Sequence, residues 1–398
     1  MKLTPSGVTS GTVGAAIIAL LWTALGCYAT PPPQGSQNPS GQNQLMSEQY
    51  FKNVQVLRGI PVDEFMGTMG FIAAATGMNC TDCHVEDSGG NWAKYADDTP
   101  VKGTARKMML MMNAINQNFF GGTRNVTCYS CHRGVRMVKV IPNLTEQYAV
   151  PPPLDPDRVG IPPPGTPSAD AIFAKYLRAL GGIQRLEAIS SFTAKGTYQG
   201  YDDPEKYPID VYAKAPNQRT VVMHTLDGDN TTTVGGDAAW TAAPLTDYPT
   251  AVLDLTGQLL DGVKFDANLS FPSRIKDALS DWRVGPLTTV DGHDVRIVQG
   301  TSASGAIVKL YFDPLSGLLL RQLRTANTPI GAILTQVDYA DYRDVVGVGI
   351  KMPFRWTVTW TDGRTIFRIA EVKTNVKIDP AKFGEPAPSV PPAKSAAR

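Results

Sequence analysis

Two short runs in this sequence carry residues that can do chemistry: Cys80-Thr81-Asp82-Cys83-His84 and Cys128-Tyr129-Ser130-Cys131-His132. Two thiols spaced in this way can add to the two vinyl groups of one porphyrin. The histidine beside the second thiol can then reach the iron as its proximal ligand. The macrocycle fixes both spacings, so the pattern is specific for covalent c-type haem. The sequence has five cysteines and four histidines, and the two runs use four and two of them. The competing chemistry is a structural zinc site built from two Cys-x-x-Cys pairs. Here 44 residues separate the pairs, more than a zinc ribbon uses, and each pair has its own adjacent histidine. The reading is therefore two haems, bound through Cys80, Cys83, Cys128 and Cys131, with His84 and His132 as iron ligands.

The second axial ligand decides what such a haem does: a filled position suits electron transfer, an open one suits gas or peroxide chemistry. Outside the two runs the only histidines are His224 and His293, far along the chain, and both read as surface turn residues. Methionine is abundant instead. Met66 and Met69 stand three apart, 14 and 11 residues before Cys80; Met108, Met111 and Met112 precede Cys128 by 20, 17 and 16. Methionine more often packs a core, but a cluster ahead of each run points to thioether ligation. The spacing alone leaves open which methionine serves.

These residues need elements to hold them. Pro61-Val62-Asp63-Glu64 reads as a helix start with acids in its first turn. Phe65, Met66, Met69, Phe71 and Ile72 supply the apolar face, and Gly77 breaks the helix. Asn91 to Asp98 reads as a loop. A second helix begins near Pro100, runs through Ile115 and breaks at Gly121-Gly122. The plan repeats: a methionine-bearing helix, a glycine break, then Cys-x-x-Cys-His. This mainly α, dihaem domain spans 46–148.

Residues 149–168 hold eight prolines and read as a semi-rigid linker. Beyond it, residues 169–189 have helical spacing, interrupted at Gly181-Gly182. From Ser191 to Phe383 short alternating runs such as Val308–Phe312 and Phe354–Trp360 are separated by turn signals such as Asp291-Gly292. That is an antiparallel β domain over 169–384, with a possible helix between Ser270 and Trp282. It shows no nucleophile–base or carboxylate pair. Residues 385–398 form a Pro/Ala-rich tail read as disordered. The fold class is thus multidomain, a helical dihaem domain joined to an antiparallel α+β domain.

Residues 1–27 read as an export signal. Its apolar run, Gly14 to Leu25, is short for a membrane span. It ends at Gly26-Cys27, which fits a lipoprotein cleavage site with lipid on Cys27, although Ala24 stands where leucine is usual. Residues 28–45 then form a flexible tether. The net charge of +1, from 37 basic and 36 acidic residues, argues against a nucleic-acid partner.

The stretch Asn53–Gly134 resembles the cytochrome c subunit of photosynthetic reaction centres. The resemblance rests on Asn53-Val-Gln-Val-Leu57, the helix with Met69, the first Cys-x-x-Cys-His, the Ala105-Arg-Lys-Met108 helix and Val126-Thr-Cys-Tyr-Ser-Cys-His-Arg-Gly134. That subunit carries four haems in two pairs and re-reduces the oxidised pigment pair from the periplasmic side. This chain has one pair. By position the resemblance implies Met69 as ligand of the first iron and Met108 of the second, with Met111 as the alternative. The β region resembles lipoprotein-sorting, half-barrel domains, on Ala215-Pro-Asn217, Tyr311-Phe-Asp313 and Tyr342-Arg-Asp344. Such domains wrap a curved sheet around an apolar cavity that can hold acyl chains; a filled core with a docking role is the other reading. The expectation is a periplasmic, lipid-anchored electron carrier. Its redox partner would be a reaction centre, a respiratory complex or a soluble cytochrome. The alternatives are a dihaem redox enzyme such as a peroxidase, and a lipid-binding carrier with an auxiliary haem domain.

Overall fold

The computed structural model describes residues 44–149, 158–201, 203–246, 248–361 and 363–389. The expected signal, Cys27, nearly all of the tether, the first half of the linker and most of the tail lie outside the described residues. Among the described residues no helix is long and apolar enough to cross a membrane.

The N-terminal part is helical. α1 (Ser47–Tyr50) leads into α2 (Val62–Thr76), which has Asp63 and Glu64 in its first turn and ends at Gly77 in the left-handed conformation, φ 64°. α3 (Cys80–Cys83) is the first Cys-x-x-Cys turn. Asn91–Asp98, expected as a loop, holds a 3-10 turn at Trp92–Ala96, preceded by another at Glu86–Gly90. α4 (Pro100–Phe119) starts at Thr99, whose hydroxyl accepts from Lys102 N, with proline in the first turn where its missing N–H does no harm. α5 (Cys128–His132) is the second turn, and α6 (Leu144–Gln147) follows. Met109 and Met112 of α4 are buried with Leu57, Phe71 and Ala75, so α2 and α4 share one apolar seam.

The rest is one 13-stranded sheet with every neighbouring pair antiparallel. After α7 (Ala169–Ala179) and α8 (Ile183–Glu187) come β1 (Ser191–Gly200), β2 (Tyr207–Lys214), β3 (Gln218–Thr225), β4 (Gly228–Gly235), β5 (Ala239–Ala242) and β6 (Val252–Asp254). α9 (Gly257–Leu269) and a 3-10 turn (Pro272–Ala278) interrupt the meander. It resumes as β7 (Ser280–Val290), β8 (His293–Thr301), β9 (Ile307–Phe312), β10 (Leu319–Thr328), β11 (Gly331–Asp344), β12 (Lys351–Trp360) and β13 (Gly363–Thr374). β13 pairs with β1, so the order is β6 to β1, then β13 to β7.

Two expectations need correcting. The helix lies mainly before Ser270, at α9, because its two glycines and the strand-like Val252-Leu-Asp-Leu255 ahead of it hide the period. The Ser270–Trp282 stretch holds the 3-10 turn and the start of β7. His224 is a strand residue in β3 rather than a turn residue. Its Nδ1 faces Asp229 at 2.8 Å and its Nε2 faces Asp210 at 3.2 Å. Burial opposes its charge, but the two carboxylates outweigh burial and hold its pKa above the ordinary value. His293 is exposed and opens β8 directly after the Asp291-Gly292 turn.

The principal core lies on one face of the sheet. Phe173 and Tyr176 of α7, Phe265 of α9, and Phe271 and Ile275 fill it against β1, β2, β8, β9 and β10. The helices thus occupy the space that the sheet faces.

The helical part packs on this sheet directly. Ile330, wholly buried in the β10–β11 turn, joins the α2–α4 seam. Arg124 donates to Gly331 O at 3.1 Å, and the Asp63 carboxylate accepts from Thr256 N (2.6 Å) and Thr256 Oγ1 (2.9 Å). Burial raises the Asp63 pKa, with the Thr256 bonds opposing it. Gly331 is where the joint is tightest: a Cβ there would stand 2.1 Å from the Phe71 ring. We expect Gly331→Ala to lower stability by about 1–3 kcal/mol, the usual cost of overpacking. Phe71→Leu in the same chain should recover part of the loss. Urea unfolding checks this; unchanged stability in Gly331→Ala would mean that the ring does not seat on the hairpin.

Candidate functional site

Each Cys-x-x-Cys turn is built by the same local device. In α3, Asn79 Oδ1 accepts from Asp82 N (3.0 Å) and Asp82 Oδ2 accepts from Asn79 N (2.8 Å). In α5, Thr127 and Ser130 play the same two parts, with Thr127 N donating to Ser130 Oγ at 3.0 Å. Each is a capping box. The box closes one helical turn on the residues that alternate with the cysteines, so the two thiols of each pair share a face at i and i+3. None of the four thiols is in a disulfide. Among the described residues no three His, Cys, Asp or Glu side chains gather as a metal site, so the two pairs are not drawn into one four-thiolate centre. Burial pushes the thiols of Cys83 and Cys128 up from their ordinary pKa.

The two turns lie on the helices crosswise. The first touches α4: Thr99 Oγ1 donates to Cys83 O at 2.5 Å. The second touches α2: Gly134 N donates to Ala75 O at 2.9 Å. A Cβ at Gly77 would meet Gly134 O at 2.2 Å, so Gly77 is needed for close approach as well as for its positive φ. Asn116 of α4 holds the return loop, accepting from Asn125 N (3.1 Å) and Val126 N (2.9 Å) and donating to Val126 O (2.7 Å).

Both histidines are oriented for metal binding. His84 Nδ1 lies 3.0 Å from Tyr95 O, and His132 Nδ1 lies 3.1 Å from Val135 O and 3.0 Å from Arg136 O. A backbone carbonyl cannot donate, so in each ring Nδ1 carries the proton and Nε2 keeps the lone pair that binds a metal. Burial, then the Lys102 ammonium, holds the His84 imidazole below its ordinary pKa. The donor set fits haem iron: one imidazole Nε2 per site, two thiols on one turn beside it, and thioethers on the preceding helices. Among the described residues several large apolar side chains between Met108 and Tyr148 are exposed, Met111, Phe119, Tyr129 and Ile141 among them.

The structure sorts the methionines. Met109 and Met112 are core, at 7% and 4% exposed, packed in the α2–α4 seam. Met108 and Met111 are exposed, 42% and 50%, on another side of α4. Met69 is half-buried at the edge of the α2–α4 seam, and Met66 is half-buried on the same helix.

Sequence reasoning missed the support for His84. The Trp92–Ala96 turn presents Tyr95 O to the imidazole, and the Tyr95 ring packs on His84 with centroids 4.7 Å apart. Trp92 stacks on Tyr95 at 5.0 Å and donates through Nε1 to Leu245 O at 2.6 Å. Lys102 Nζ donates to Tyr95 O at 2.7 Å. The available signal was the Trp92-x-x-Tyr95 pair just before a helix whose first turn carries a lysine.

Comparison with known proteins places this region. The curated relatives include the photosynthetic reaction center cytochrome c subunits of Thermochromatium tepidum and Rubrivivax gelatinosus. The first is 36% identical over 117 residues, 28% of this chain and 27% of that protein; the second is 34% identical over 100 residues, 24% and 25%. The chain thus spans about a quarter of the length of each. Among solved structures, a LolA superfamily protein from Nitrosomonas europaea overlaps 55% of this chain and 98% of its own length, at 14% identity and a TM-score of 0.37. Residues 23–148, which include both Cys-x-x-Cys-His runs, match the family described as photosynthetic reaction centre cytochrome C subunit.

Proposed function

We propose that this chain is a dihaem c-type cytochrome that carries electrons on the periplasmic side of a membrane and gives them to, or takes them from, a redox partner protein. The single observation that carries the reading is the matched pair of histidines, each with Nδ1 on a backbone carbonyl and each beside two thiols on a capped turn. The family match over residues 23–148 supports it. Haem, when bound, supplies a one-electron couple at the iron. Cys80 and Cys83 would hold the first haem and Cys128 and Cys131 the second. His84 and His132 would bind the irons through Nε2. Met69 would also ligate the first iron and Met108 the second, with Met111 as the alternative. Thioether ligation raises the potential and closes the iron to small molecules, which suits a carrier better than a peroxidase. A reaction centre, a respiratory complex or a soluble cytochrome fits as partner.

Intact mass spectrometry after acid-acetone extraction should find two haem masses on the chain. Haem released into the extract would overturn covalent attachment.

Met69→Ala and Met108→Ala should each convert one haem partly to high spin. Each should remove about half of the sulfur-to-iron charge-transfer band at the red end of the oxidised spectrum, since one of two Met-ligated sites is changed. Loss in Met111→Ala with none in Met108→Ala would move the second ligand by one turn. Loss in none would exclude methionine ligation.

We also propose that lipid on Cys27 anchors the mature protein, with 28–45 as tether. Cys27→Ser should move it from the membrane fraction to the soluble periplasm. Retention in the membrane would show that another element anchors it.

A further inference from the structure

The two histidines are supported differently. His132 is held by the chain immediately after it, through Val135 O and Arg136 O. His84 is held by a carbonyl from a separate turn, and that carbonyl is shared. Lys102 Nζ lies 2.7 Å from Tyr95 O, 3.2 Å from Ala96 O and 3.2 Å from Asp97 O. Its three N–H donors are thus directed at three successive carbonyls. The side chain is only 14% exposed. The nearest carboxylate is Asp98, at 4.0 Å and 59% exposed, and Asp98 also takes a 2.7 Å bond from Arg106. Among the described residues no cationic side chain donates to Val135 O or Arg136 O, so the second site has no counterpart.

We infer that Lys102 is a positioning residue that raises the reduction potential of the haem held by Cys80, Cys83 and His84. The inference rests on the haem reading above. A carbonyl oxygen that accepts from an ammonium has less electron density to offer the His84 Nδ1–H. The imidazole then donates less to iron, which favours the reduced state. The ammonium also stands one hydrogen-bonded link from the ring in a partly dry setting, where its charge disfavours the extra positive charge of ferric iron. Both effects have the same sign. Lys102 further pins the Trp92–Ala96 turn, so that Tyr95 O is presented at a fixed place.

Lys102→Gln separates charge from structure, because the amide still donates to the turn but carries no charge. We expect the reduced-to-oxidised ratio of the first haem, at fixed ambient potential, to fall about tenfold, which is about 59 mV for one electron. The second haem should not move. Cys80→Ala/Cys83→Ala identifies which redox wave belongs to the first site. In the reduced, 15N-histidine-labelled protein the His84 Nδ1–H resonance should shift downfield, as its bond to Tyr95 O strengthens. Lys102→Arg should stay near wild type in both measurements. Lys102→Gln matching wild type would overturn the inference, and so would an equal fall at both haems. Haem content is measured on the same samples. Two haems with unmoved potentials would refute the role of Lys102 and leave the cytochrome reading intact; a wild-type protein without covalent haem would remove the reading itself.

Discussion

The geometry of the two candidate haem sites depends on a backbone contact that no side chain mediates. α2 ends at Gly77, and the second Cys-x-x-Cys-His turn ends at Gly134. The two glycines sit so close that a single Cβ at Gly77 would fall 2.2 Å from a carbonyl oxygen. Gly134 N completes the joint by donating to Ala75 O. Side chains change rotamer; a glycine–glycine contact between a helix end and a turn has no such freedom. The first unit's helix therefore fixes where the second unit's turn begins. Two haems built on this frame would keep a constant separation, which is what electron exchange between them needs.

Much of the site was legible because it is local. The thiol and imidazole spacings are set within five residues, and the helices before them announce themselves by apolar period and glycine stops. The capping boxes were not read from the sequence, since Asn79/Asp82 and Thr127/Ser130 depart from the usual Ser/Thr-x-x-Glu/Gln pattern. What could not be read was long-range. The methionine clusters looked alike until packing put Met109 and Met112 into the seam and left Met108 and Met111 outside it. Tyr95 reads as one aromatic in a polar stretch; only the fold shows that its carbonyl, not its ring hydroxyl, meets His84.

The β region was legible as a class and less so in detail. Turn signals such as Asp291-Gly292 and the Asp313–Gly317 run fall between paired strands, since these residues favour turns for backbone reasons that hold in any context. α9 was hidden because Gly257 and Gly262 dilute its helical period. Gly262 is there for contact: a Cβ would press on the Arg324 side chain at 2.6 Å. Arg324 in turn pairs with Asp266 of the same helix at 2.7 Å, and Gln322 donates to that carboxylate at 2.9 Å. α9 is thus seated on β10 by a polar cluster as well as by Phe265.

The same sheet also serves the helical region. The β10–β11 turn offers Ile330 and the bare backbone of Gly331 to Phe71, while Thr256 at the head of α9 satisfies the buried carboxylate of Asp63. Both contacts fall on α2, one on its first turn and one on its third. A helix of 15 residues held at two such points is constrained in tilt and in rotation. α2 carries Met69 and meets the second attachment turn, so the sheet's grip reaches both candidate iron sites through one element. This gives the β region a physical role that does not require it to bind anything itself: it sets the orientation of the helix that carries Met69 and meets the glycine joint.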